Sequence, residues 1–310
     1  MRKPLPPSLS DFLEVAPETA GAIATGAPVV ALESTIVTHG MPWPQNMEMA
    51  QSVEAIIRAE GAVPATIAVL EGRLRVGLDR AALERLAQTK DAMKLSRADL
   101  AFALATGRPG GTTVAATMLA ASLAGIEVFA TGGIGGVHRG AETSFDISAD
   151  LREFARSPVI TVCAGAKAIL DMAKTLEVLE TEGVPVVGYG TGEFPAFWSR
   201  SSGLKSPLRL DSTAEIAAFW AARKALGQEG GMLIANPIPE AHEIPMAEMR
   251  GHIEAALDQA EMENIGGKAV TPFLLSRILE LTRGRSLAAN IALVENNARV
   301  AARIAVAIAG

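Results

Sequence analysis

Short runs rich in valine and isoleucine recur along this chain, and longer alanine-rich amphipathic stretches fill the intervals between most of them. The strand candidates are "PVVALE" (28–33), "ATIAVLEG" (65–72), "IEVFAT" (126–131), "VITVCAG" (159–165), "PVVGYG" (185–190) and "MLIANP" (232–237). The helix candidates are 46–59, 79–88, 112–124, 166–182, 212–226, 246–263, 271–283 and 287–309. Parallel strands need long crossovers, which such intervals supply. The alternation predicts an α/β fold, a three-layer α/β/α sandwich around a mostly parallel sheet. One segment departs from the pattern. "ATIAVLEGRLRVGL" (65–78) reads as two strands joined by a Glu-Gly turn, so the sheet is expected to be mixed. The chain shows no repeat, low-complexity tract or long linker. With 310 residues, 49% of them hydrophobic, it is expected to form a single domain over 1–310.

The net charge of −6 argues against a broadly basic surface for nucleic acid or anionic lipid, while leaving room for a local basic pocket that holds one phosphate. The lone cysteine, Cys163, excludes an intrachain disulfide and a cysteine-built metal cluster. The opening "MRKPLPPSLSDFLEVAPE" has no long apolar core and does not read as a signal peptide. The most apolar long window, 112–130, is broken by Gly125 and Glu127 and reads as helix, turn and strand rather than a membrane span. A soluble, cytoplasmic protein is expected.

Ligands of open α/β sheets bind beyond the carboxyl ends of the strands. The residues that follow each strand are therefore the ones to collect. The first run ends in Glu33-Ser34-Thr35 and then His39-Gly40, the third in Thr131-Gly132-Gly133 and then His138-Arg139, and the fourth in Gly165-Ala166-Lys167. "TGGIGGVHRG" (131–140) lacks the spacing of a Walker or dinucleotide loop, but its glycines let backbone amides approach an anion. "RPGGTT" (108–113) reads as a helix cap or an anion cradle. "FDISADLREF" (145–154) puts Asp146 and Asp150 four residues apart. If helical, they share a face and make half of a divalent site; the alternative is an N-cap by Asp146 or Ser148. A lysine held where a strand ends loses hydration of its ammonium, which favours the free amine that adds to carbonyl carbons. Spacing alone also allows Lys167 to be a first-turn helix residue facing solvent. The loop 195–209, with Phe194, Phe197 and Trp198 near its start, reads as mobile and able to close over a site, or as a surface loop pinned by its aromatics.

Taken together, these segments resemble the pseudouridine-5'-phosphate glycosidases, also called indigoidine synthase A-like proteins. The matching stretches are "ALESTIVTHGMPWPQN" (31–46), "GAVPATIAVLEGRLRVGL" (61–78), "RPGGTTVAATM" (108–118), "ATGGIGGVHRGAETSFDISADL" (130–151), "CAGAKAILD" (163–171), "GYGTGEFPAFW" (188–198) and "AANIALVENNA" (288–298). The resemblance implies a lyase that reversibly cleaves the C–C glycosidic bond of pseudouridine 5'-phosphate to uracil and ribose 5-phosphate. It further implies one Mn²⁺ per subunit and a homotrimer. Carried over motif by motif, Lys167 is the nucleophile, Glu33 the proton donor and Asp146 the metal ligand. Lys94, Val114, Ser148, Ala149 and Asp150 contact substrate, and His138 and Asn290 are further contacts.

The competing readings are a Schiff-base aldolase-like enzyme on another sugar phosphate, a nucleoside hydrolase and a non-catalytic sugar-phosphate-binding protein. The hydrolase would need a dense aspartate cluster, which the N-terminal region lacks.

Overall fold

The computed structural model describes residues 8–267 and 270–310. Its strands are β1 (Leu13–Val15), β2 (Val29–Leu32), β3 (Val63–Leu70), β4 (Arg73–Val76), β5 (Met93–Leu95), β6 (Gly110–Thr112), β7 (Val128–Ala130), β8 (Ile160–Cys163), β9 (Val186–Tyr189), β10 (Leu208–Leu210) and β11 (Met232–Ala235). The main path of the sheet runs β1-β4-β3-β2-β7-β8-β11-β9-β10. From β3 through β2, β7, β8, β11 and β9 to β10 every pair is parallel. The antiparallel pairs are β3 with β4 and β3 with β6. The 65–78 segment thus forms the expected hairpin, turning through Glu71 and Gly72 at φ 53° and 71°, the left-handed pair that matches strand twist.

The middle strands β2, β7, β8 and β11 are buried along their whole length. Strands covered on both faces must be apolar throughout, which is why their sequences read as continuous runs without alternation. On one face the long helix Arg285–Ala309 packs against β2, β7 and β8 and against helices Gln45–Ala59 and Thr213–Ala225. On the other face helix Val114–Ala124 packs against β2 and β7 and against helices Arg97–Thr106 and Ala149–Phe154. The result is the three-layer α/β/α arrangement expected from the alternation.

Several local expectations are corrected. The helix read over 166–182 spans only Met172–Thr181, capped by the Asp171 carboxylate, which accepts from Lys174 N at 3.0 Å. Residues 166–171 are instead a turn stapled to the glycine loop by pairing of Ala166 with Ile134 and of Asp171 with Val137. Lys167 therefore sits on neither a strand nor a helix. The helix read from 112 begins at Val114, because Gly110–Thr112 pairs as a strand and Thr113 is the cap. Asp146 and Asp150 do not share a helix face, since the helix starts at Ala149 with Ser148 as its cap. Of the two readings of the 195–209 region, the structure shows the one in which its aromatics are pinned. Phe194, Phe197 and Trp198 are all buried, and Phe197 N donates to Ala164 O at 2.9 Å.

That last contact shows how tightly the lysine turn is threaded. Gly165 has φ +82°, and a Cβ there would lie 2.1 Å from the Pro195 carbonyl oxygen. Only glycine meets both demands. Gly165→Ala is expected to cost about 3 kcal/mol of stability, read as a lower urea midpoint at unchanged slope. A loss below about 1 kcal/mol would show that the crossing yields easily.

Candidate active site

The site forms where β2, β7 and β8 end. Leu32 pairs with Ala130 and Ala130 with Val162, so Glu33 and Thr131 leave the sheet side by side. The Glu33 carboxylate, 9% exposed, accepts from the Thr35 hydroxyl through Oε2 and from the Thr131 hydroxyl through Oε1. Both oxygens are thus held while the group still faces the cavity. Ser34 anchors the backbone beneath it: its Oγ donates to Ile67 O at 2.6 Å and accepts from Thr112 N at 2.9 Å. The chain then makes one wide π-helical turn, Ile36–Gly40, which delivers His39 to the same cavity.

Lys167 arrives from β8 through the Gly165 crossing. Its backbone N donates to Ile134 O at 3.1 Å, which ties it to the glycine loop. Lys94 arrives from β5, which pairs with β6 and through it with β3. Its charge is felt by two histidines. Burial holds His39 below the usual histidine range, the Lys94 charge acts the same way, and a hydrogen bond with the Ala92 backbone opposes them. His138 is also pushed down by burial; the Asp146 carboxylate opposes this, and Lys94 and Lys167 reinforce it.

The 145–154 segment divides its carboxylates between two tasks. Asp150 is buried, and its Oδ1 accepts from Ala115 N at 2.9 Å while Oδ2 accepts from Gly135 N at 2.8 Å. It binds the start of helix Val114–Ala124 to the glycine loop. Asp146, 41% exposed, has Oδ2 4.0 Å from His138 Nδ1 and faces the cavity. Asn290, on the long C-terminal helix, is oriented by Trp198, whose Nε1 donates to Asn290 Oδ1 at 2.7 Å.

Two adjoining cavities result. One, of about 300 Å³, is lined by Lys94, Val114, His138, Asp146, Ser148, Ala149 and Asp150. The other is a narrow chamber of about 60 Å³ with Ile36, Phe197, Val294 and Asn290 in its walls. Glu33, Thr35, Lys94, Lys167 and Thr271 line both. All the residues expected at the site therefore lie on one or the other, whereas Arg139 is exposed and lines neither. Sequence reasoning collected Thr35 and Thr131 as strand-end residues without their role as clamps, named Phe197 only within a loop able to close over a site, and missed Thr271. Thr35 and Thr131 stand at strand ends in "LEST" and "ATGG"; nothing in the sequence marks Thr271, because its place depends on long-range packing.

The chemistry of the donors sets limits on a metal. Among the described residues no group of three or more His, Cys, Asp or Glu is placed to hold one. A single half-exposed carboxylate, Asp146, fits a hard divalent cation that keeps most of its waters, not a protein cage.

A lysine and a clamped carboxyl group sharing a cavity at the carboxyl edge of a mostly parallel sheet define an α/β enzyme site for a small polar substrate. The chain belongs to the indigoidine synthase A-like family, whose model matches residues 18–307. It is 67% identical over 300 residues to a pseudouridine-5'-phosphate glycosidase of Paracoccus denitrificans, covering 96% of this chain and 99% of that one. It is 65% identical over 303 residues to the enzyme of the same name from Mesorhizobium japonicum, covering 98% and 99%. Among solved structures, it is similar to the prealnumycin C-glycosynthase AlnA in complex with ribulose 5-phosphate, with TM-score 0.89 and 41% identity over 96% of this chain and 97% of that one. The indigoidine synthase A-like protein of Thermotoga maritima gives TM-score 0.88 and 37% identity over the same shares.

The proximity of Lys94 to His39 is testable by titration. The His39 ring is expected to protonate below the usual 6.5, and Lys94→Met should raise its pKa, because removing a positive charge favours the imidazolium. The ring-proton NMR shift followed against pH reads this directly; an unchanged or lower value in the variant would place the ammonium elsewhere.

Proposed function

We infer that this chain cleaves the C–C glycosidic bond of pseudouridine 5'-phosphate, giving uracil and ribose 5-phosphate. The observation that carries this is the near full-length identity with glycosidases of that name, joined to a lysine and a carboxyl group lining one cavity. The complex of AlnA with ribulose 5-phosphate supports a pentose phosphate as the ligand class.

The mechanism proposed runs through a lysine Schiff base. A C–C glycosidic bond has a poor leaving group, so the sugar ring opens first. Glu33 gives its proton to the ring oxygen as C1'–O4' breaks, while the base ring accommodates the electron-poor C1'. The Lys167 amine adds to C1'. Its nitrogen lone pair then expels uracil at C5, which takes up a proton, leaving a lysine–sugar iminium. Water hydrolyses this to free lysine and ribose 5-phosphate. The reaction needs an amine that is unprotonated at attack and an acid that still carries its proton. The Thr35 and Thr131 hydroxyls orient the Glu33 carboxyl group for that transfer. Lys94 and His138, with Ser148 and the backbone of Val114 and Ala149, suit the phosphate end, and Asn290 suits the base.

Asp146 is the residue that would hold Mn²⁺. When bound, the cation supplies positive charge that fixes the phosphate. An inactive Asp146→Ala protein with normal substrate affinity would count against that role. The assembly proposed is a homotrimer in the cytoplasm. No helix among the described residues is long and apolar enough to cross a membrane.

Borohydride reduction after incubation with ribose 5-phosphate and Mn²⁺ should leave a pentose-phosphate adduct on Lys167, mapped by mass spectrometry and absent in Lys167→Ala. An adduct on Lys94 would overturn the nucleophile assignment. Glu33→Gln is expected to lower kcat by roughly 10²–10⁴-fold, the range of general acid catalysis. A smaller effect in steady-state kinetics would assign the proton to another group.

A further inference from the structure

The narrow chamber beside Lys167 has a neighbour on each side. The 300 Å³ cavity toward His138 and Asp146 has the polar lining that a sugar phosphate needs. A third cavity, of about 240 Å³, shares His39, Gly40, Met41, Pro272, Leu275 and Asn290 with the narrow chamber. It shares no lining residue with the phosphate-side cavity. The chamber therefore lies between the two, with the reacting lysine on the phosphate side and Asn290 on the other.

A chamber of about 60 Å³ holds little more than a flat ring, and uracil leaves nothing to occupy the space beyond it. That space is walled by Pro42, Leu279 and Leu287 together with Thr38, Ser276 and Ser286. The lining is mixed: Met41, Pro42, Pro272, Leu275, Leu279 and Leu287 offer apolar surface to a flat ring, and His39 and Asn290 stand among the polar residues beside them. We propose that the base end of the site is open, and that the third cavity receives a ring-sized substituent on the aglycone. The enzyme then accepts N-substituted uracils as well as uracil. This rests on the cleavage reaction inferred above and specifies its substrate class.

In the coupling direction the chemistry balances. The Lys167 amine condenses with the C1 aldehyde of ribose 5-phosphate and releases one water. Carbon C5 of the substituted uracil adds to the iminium carbon and then loses its proton. The sugar C4 hydroxyl closes on C1 as the lysine amine leaves and takes that hydroxyl's proton. The sum is a C-riboside 5'-phosphate and water, and the substituent on nitrogen takes no part in bond making.

The test uses the full chain with ribose 5-phosphate, Mn²⁺ and either uracil, 1-benzyluracil or 3-benzyluracil, with C-riboside phosphate quantified by liquid chromatography and mass spectrometry. Ser276 is exposed on helix Val270–Leu281, and of these three cavities it lines only the third. At least one benzyluracil should couple with kcat/KM within roughly tenfold of uracil, and Ser276→Trp should lower that coupling by about tenfold or more while changing uracil coupling less than about twofold. Coupling of uracil with neither benzyluracil accepted overturns the proposal. So does benzyl coupling that Ser276→Trp leaves intact. Failure of uracil itself to couple would overturn the parent reaction, a result separable from the other two.

Discussion

The site rests on the register of three parallel strands. Leu32, Ala130 and Val162 lie in line across β2, β7 and β8. Their next residues therefore emerge at one level, and the Thr131 hydroxyl meets the Glu33 carboxylate without any long side chain having to reach. A slip of one residue in either pairing would turn Glu33 to the opposite face. The burial of all three strands on both faces resists that slip, since every shifted register would leave the strand-end polar groups without partners.

Beyond the strand ends, the loops are held by side chains that do no chemistry themselves. Asn297 is fully buried in the long C-terminal helix; its Nδ2 donates to Thr131 O at 2.8 Å, and its Oδ1 accepts from Asn236 Nδ2 at 2.9 Å. This joins the ends of β7 and β11 to the helix that also carries Asn290. Asp150 does the same for the glycine loop and the start of helix Val114–Ala124. Arg97 and Glu153, a pair with Glu153 1% exposed, link the helix after Lys94 to the helix after Ser148. The two walls of the larger cavity are therefore cross-braced.

The division of the site follows from this bracing. His138 and Asp146 stand on one side of Lys167, and Phe197, Val294, His39 and the oriented amide of Asn290 stand on the other, while Lys94 lines both. Glu33 and Lys167 line both spaces, at the boundary between them.

By itself the sequence determined the element types, since apolar periodicity and helix length are local properties. The strand candidates and most helix candidates stand where the periodicity put them, and the Glu-Gly hairpin turned as its residues require, whereas the helices Pro17–Thr25 and Arg97–Thr106 were not anticipated and the 166–182 helix is cut back to Met172–Thr181. Short strands such as β5 and β6 were not legible, because three residues carry no period and "GGT" has no β-branched run. The site residues were legible as strand ends and through family resemblance, not through spacing. The Asp146–Asp150 spacing pointed to a shared helix face that does not exist, and only the fold separated a cavity carboxylate from a backbone clamp. Tertiary structure alone also turned residues 166–171 into a threaded turn and Phe197 into a wall. Both depend on contacts between segments about thirty residues apart, where backbone closure leaves a glycine the sole residue that fits and local preference has no say.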